Sequence, residues 1–190
     1  MNIKSSNFAS RKLRMVVEET KYFKQFDIKF STLGIGLHEF VLNIDKTFFL
    51  KHANDEIKDA DIQICLTVHK SETMAVFDFD LKGTLIVSCD ICLEDLTYPI
   101  HIKEELILKT SQEHRESEDE NIAYVNPNEH QYNVEQFLYE VLYASLPMRK
   151  THPEMNQTCN DIMIQYLEKS SQSTKPEIDP RWEALKEIHL

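Results

Sequence analysis

The chain has 190 residues, 42% of them hydrophobic and 28% charged, with a formal net charge of −11. That length suits one well-cored domain, and no apolar run reaches the roughly 18 residues of a membrane span. The negative balance argues against a broad phosphate-binding surface, because nucleic-acid affinity comes largely from Lys and Arg neutralising phosphates. A basic protein partner fits better.

Residues 1–30 run against this balance, with seven Lys and Arg facing three Asp and Glu. A basic arm for RNA would have this composition. Met15, however, is a second candidate start, and initiation there would remove Lys4, Arg11, Lys12 and Arg14. Residues 1–25 therefore read as an N-terminal extension, disordered or added by the choice of start, and 26–190 as a single domain. The first residues lack an apolar segment ahead of a small-residue cleavage site, so a secretory signal is not supported. A cytoplasmic, reducing setting is expected, in which a CxxC is metal-binding or catalytic rather than a disulfide staple.

Residues 26–109 form the β-rich part. After "FDIKF" come "LHEFVLNI" (37–44), "DIQICLTVHK" (61–70), "TMAVFDFD" (73–80), "GTLIVSC" (83–89) and "TYPIHIKEELIL" (97–108). All are rich in β-branched and aromatic residues and are parted by polar breaks. In 61–70, Ile62, Ile64, Leu66 and Val68 alternate with Gln63, Cys65, Thr67 and His69, the period of a strand with one buried face. Short connections predict an antiparallel meander. Residues 110–131, a dense acidic run followed by a Pro-Asn turn signal, read as a solvated loop.

Residues 132–190 are helical in pattern. Asn133 is placed to cap a helix whose stripe is Val134, Phe137, Leu138, Val141, Leu142 and Leu146, stopped by Pro147. A second helix is predicted at "CNDIMIQYLEKS", with Ile162, Ile164, Tyr166 and Leu167 apolar, and a third at "DPRWEALKEI". There Asp179 is the N-cap, Pro180 the first helical residue, and Trp182, Leu185 and Ile188 lie along one side. The fold class is α+β: a meander of about five to seven strands followed by two to three C-terminal helices packed on it.

Four cysteines are present, and Cys89 and Cys92 stand two residues apart at a strand end. Structural zinc takes four Cys or His ligands, and a Cys-x-x-Cys turn supplies half a shell. In "RKTHPEMNQTC", His152 and Cys159 are the candidates for the other half, although their spacing matches no common finger. A second reading makes Cys89 and Cys92 small core residues. A third makes them a redox couple, but the segment after Cys92 leads into a strand rather than the helix N-terminus that commonly activates such thiols. Cys65 reads as a lone strand cysteine, and the remaining histidines show no metal spacing. No motif reads as an active site or as a small-molecule substrate site; Gly34-Ile35-Gly36 opens no phosphate-cradling helix.

The order "FDIKFSTLGIGLHEFVLNID", "CDICLEDLTYPI", "NVEQFLYEVLYASLPMRKTHPE", a late Cys159 and "DPRWEALKEI" resembles the YceD family of large ribosomal RNA subunit accumulation proteins over about residues 25–190. The variant is similar to those of Bacteroidetes-type bacteria. The resemblance implies a non-enzymatic ribosome-biogenesis factor supporting accumulation of 23S ribosomal RNA. It carries the family's Cys-x-x-Cys onto Cys89 and Cys92, and its His and Cys after the helix onto His152 and Cys159. Ile91 departs from the family, standing where an Arg is frequent. The partner implied is a pre-50S particle or a basic large-subunit ribosomal protein. Direct binding of 23S RNA through Arg149, Lys150 and Arg11–Arg14 is the alternative, and thiol redox chemistry a remoter one.

Overall fold

The computed structural model describes residues 21–52, 56–111, 119 and 121–173. Two short strands, β1 (Asp27–Ile28) and β7 (Tyr132–Asn133), pair with each other, and five longer ones form the main sheet in the order β2-β3-β4-β5-β6. These are β2 (Gly36–Asp45), β3 (Ile57–Lys70), β4 (Met74–Ser88), β5 (Asp95–Thr110) and β6 (Ile122–Val125). Pairing from β2 to β5 is antiparallel, as short connections require. The helices are α1 (Lys46–Lys51), α2 (Glu135–Ala144) and α3 (Asp161–Ser173). The class is α+β.

The period-two pattern of β3 sorts its side chains as expected: Ile62, Ile64, Leu66 and Val68 are buried, while Gln63 and Cys65 face solvent. Phe77, Phe79, Leu81 and Leu85 of β4 join them. Over this inner face lie Phe48 and Phe49 of α1, Leu138 and Leu142 of α2, and Phe26 ahead of β1. Aromatic edges interlock there, with ring centroids 5.2 Å apart for Phe26–Phe48 and 5.3 Å for Phe79–Phe137. Tyr22 and Phe23, which the sequence grouped with the N-terminal extension, already pack against this core.

Three sequence expectations change. Segments 73–80 and 83–89 are one continuous strand, β4, because Gly83 permits pairing rather than ending it. A Cβ at this position would overlap the Asp61 carbonyl oxygen and stand 2.7 Å from Ile62 Cα, so only glycine lets β3 pass this close. Residues 110–131 include β6, which joins β5 in parallel through the register Ile107↔Ile122. The turn that follows is as expected: Glu129 N–H donates to the Asn126 carbonyl at 2.9 Å and Asn128 N–H to the Asn126 side chain at 3.0 Å. Helix α1 was not anticipated. Six residues are too few for periodicity to register, yet Asp45 caps it through the Thr47 N–H at 2.8 Å and Phe48 and Phe49 anchor it.

Asn133 caps α2 as its sequence predicts, accepting from the Glu135 N–H at 2.8 Å. Helix α3 also forms where expected, but Ile162, Tyr166 and Leu167 remain exposed on it. The helix predicted around Asp179, Pro180, Trp182, Leu185 and Ile188 lies outside the described residues, as do Lys4 and the Arg11–Arg14 segment.

Candidate metal centre

Strand β4 ends at Ser88, and the chain turns at once through Cys89–Glu94 before β5 begins at Asp95. The turn is closed by two backbone bonds, Leu93 N–H to the Cys89 carbonyl and Cys89 N–H to the Glu94 carbonyl, both 2.9 Å. Leu93 adopts φ 62°, a left-handed conformation that costs a residue with a Cβ about 1 kcal/mol. Inside this turn the Ile91 N–H points at Cys89 Sγ from 3.5 Å. Cys89 and Cys92 thus present both sulfurs to one side, and both are buried.

From the opposite direction comes the segment that follows α2. His152 is buried, and its carbonyl accepts the N–H groups of Met155 (3.0 Å) and Gln157 (2.8 Å), which fold the loop back on itself. Asn156, at φ 55°, completes the reversal and delivers Cys159 just ahead of α3. The four side chains converge: Cys92 Sγ lies 3.3 Å from His152 Nδ1, Cys159 Sγ 3.7 Å from the same nitrogen, and Cys89 Sγ 3.8 Å from Cys159 Sγ. All four donor atoms fall within 4.8 Å of one another. For ligands at about 2.3 Å from a tetrahedral centre, neighbouring donors stand about 3.8 Å apart, so these four side chains are close enough together to hold one metal ion.

The imidazole is oriented for that role. His152 Nε2 lies 3.2 Å from the Asp95 carbonyl, an acceptor only, so Nε2 carries the hydrogen and the Nδ1 lone pair faces the thiols. Burial raises the Cys89 thiol, but the backbone N–H groups of Cys92, Ile91 and His152 outweigh it and bring the pKa to about 6. Cys159 moves the other way, to about 11, through burial and its proximity to the Cys89 and Cys92 sulfurs. A thiolate at Cys89 beside protonated Cys159 is a charge arrangement that an incoming cation would complete.

A ring of polar clasps locks the two segments together. Asp90 N–H donates to the Lys150 carbonyl at 2.7 Å, while Lys150 N–H donates to the Asp90 carboxylate at 2.6 Å. Gln157 Nε2 reaches the Thr97 carbonyl at 3.1 Å. Asn160 Nδ2 donates to Glu94 at 2.6 Å, and its side-chain oxygen caps α3 through the Ile162 N–H at 2.9 Å. Apart from Lys150, none of these partners stood out in the sequence. Asn160, beside Cys159 and ahead of an acidic first turn, carried the one readable signal, that of an N-cap.

Two expectations drawn from the sequence need amending. Lys150, placed among the basic groups for RNA, is buried, and its ammonium meets Glu56 at 2.7 Å. That bond raises the Lys150 pKa and is the largest cause holding Glu56 below the usual carboxylate range. Arg149 is exposed, 3.8 Å from Glu154. A strand does follow Cys92, yet Cys89 is acidified all the same, because the turn's own N–H groups supply what a helix terminus would. Elsewhere His69 and His101 sit beside Asp78 and Asp80 on the solvent face, and His52 stacks on Tyr139. Residues His114 and His189 lie outside the described residues.

No helix among the described residues is long and apolar enough to cross a membrane. No curated protein and no solved structure matches the chain. A family model described as "Large ribosomal RNA subunit accumulation protein YceD" matches residues 77–189, a span that includes all four converging side chains and both segments that carry them. By that match over more than half its length, the chain belongs to the YceD family of large ribosomal RNA subunit accumulation proteins.

Proposed function

We propose that this chain is a non-enzymatic factor for large-subunit assembly, acting in the cytoplasm. It supports 23S RNA accumulation by engaging a basic large-subunit ribosomal protein or a pre-50S particle. A zinc ion held by Cys89, Cys92, His152 and Cys159 fastens the helical tail to the sheet as a fixed platform. The observation that carries this reading is the convergence of three thiols and one correctly oriented imidazole, from segments about sixty residues apart, within the span matched by the family. Thiolates and imidazole suit zinc. Small-core packing alone gives no reason for Nδ1 to face three sulfurs. The engagement of Lys150 with Glu56 and the charge of −11 favour a basic protein over naked RNA as partner.

Metal content of untagged protein, purified without chelator, tests the zinc directly. About one zinc per chain is expected by plasma mass spectrometry, lost in Cys89→Ser together with a fall in Tm. A metal-free parent and a variant that melts like it would overturn the zinc. Affinity for naked 23S RNA should be weak and nearly flat in salt, whereas a steep salt dependence would favour direct RNA binding.

A further inference from the structure

Strand β2 is an outer strand of the main sheet, and among the described residues β3 is its one neighbour. In an antiparallel pair, alternate residues turn both backbone groups toward the partner and the others turn theirs away. Asn43 is of the second kind. Its N–H takes Gln25 Oε1 at 3.1 Å and its carbonyl takes the Tyr22 hydroxyl at 3.3 Å, both from beyond the sheet edge. The Asp45 N–H likewise meets the Tyr22 oxygen at 3.0 Å. By the same alternation Leu37, Glu39 and Val41 turn their N–H and carbonyl groups outward, and among the described residues no hydrogen bond reaches them.

Among the described residues the edge is therefore closed at one end and open at the other. Exposed edges are usually blunted by charge, proline or a covering element. Here Leu37 is 54% and Val41 61% exposed, with exposed Ile35 just ahead of them. The one charge in the open stretch, Glu39, makes no ion pair among the described residues. Register places it at the end of a row that crosses the sheet through Thr67, Asp78 and Glu105, so three carboxylates share that row.

We propose that the open half of β2, Leu37 to Val41, is a docking edge for an extended segment of a basic protein. The segment adds a strand with apolar side chains beside Leu37 and Val41 and a Lys or Arg beside Glu39. The proposal rests on the reading above that the partner is a basic protein, and it names the surface that partner uses. A second copy fits poorly, since the register opposing Leu37 to Val41 sets two Glu39 carboxylates face to face, and like charges directly opposite are destabilising. RNA fits poorly too, because the carboxylate row repels phosphate.

The test titrates the full chain with the synthetic peptide Ser-Leu-Thr-Lys-Thr-Val-Ser and follows amide hydrogen exchange by NMR. Protection should appear at Leu37, Glu39 and Val41. A peptide with Glu in place of Lys should bind about threefold more weakly, and Glu39→Lys should invert that preference. Val41→Pro removes an outward N–H without breaking a ladder bond and should abolish binding. No protection at these amides, or equal binding of the two peptides, overturns the proposal. So does protection without peptide that grows with protein concentration, the signature of a second copy. Co-sedimentation with large-subunit precursors separates this proposal from the wider reading. Binding by both parent and Val41→Pro sinks the docking edge alone, whereas failure of the parent to bind sinks the assembly reading, with the peptide result still deciding the edge.

Discussion

Cys89 carries the chemistry of the site at the scale of a single residue. Folding lowers its thiol from an ordinary value near 9 to about 6, so the ionised form is the one the turn prefers. For a group lowered in this way, the stabilisation is complete above the ordinary value and is lost as pH falls through the folded one. Chelator-treated protein should therefore show thiolate ultraviolet absorbance rising with a midpoint near pH 6, a step missing in Cys89→Ser. A midpoint near 9 would mean the turn's N–H groups do not face the sulfur. Gly83 is the second decisive residue. Gly83→Ala forces a methyl into the β3 backbone at Asp61 and Ile62 and should cost about 3 kcal/mol in chemical denaturation. The four converging side chains could be picked out in advance because Cys and His are few and chemically distinctive. Asp90, Glu94 and Gln157 could not, since such residues are common on any surface and only their placement makes them clasps.

At the scale of elements, periodicity located the long strands and α2, where alternation or a three-to-four spacing persists for several residues. It failed where a single close contact overrules local grammar: a glycine that looked like a break is the condition for β4 to continue. It failed also where an element is short, as for α1 and β6. Helix α3 was legible by composition, but its role comes from Asn160, which both caps the helix and ties it to Glu94. Asn160→Ala should lower stability by about 1–2 kcal/mol in urea denaturation. A loss within error would show that α3 is held by Cys159 rather than by its cap.

For the whole molecule, the candidate metal centre brings the β4–β5 turn to the segment between α2 and α3 at the rim of the core, while the aromatic residues pack the sheet against α1 and α2. Removal of the proposed zinc should therefore act locally. In hydrogen exchange after chelation, amides from His152 through α3 should lose protection, and the central amides of β3 and β4 should keep theirs. Uniform loss across the sheet would mean that the metal supports the global fold instead.

Sequence alone determined the α+β class, the inward faces of β3 and α2, and the identities of the four candidate ligands, because these depend on neighbours a few residues apart or on rare residue types. Tertiary structure decided that Lys150 is spent on Glu56 and that β6 runs parallel to β5. It also decided that His152 turns Nδ1 inward by giving its other nitrogen to Asp95, and that, among the described residues, Tyr22 and Gln25 cover one half of the β2 edge and leave the other open. Each of those outcomes turns on contacts between groups 15 to 94 residues apart, and the packing that brings such groups together is a property of the folded chain as a whole.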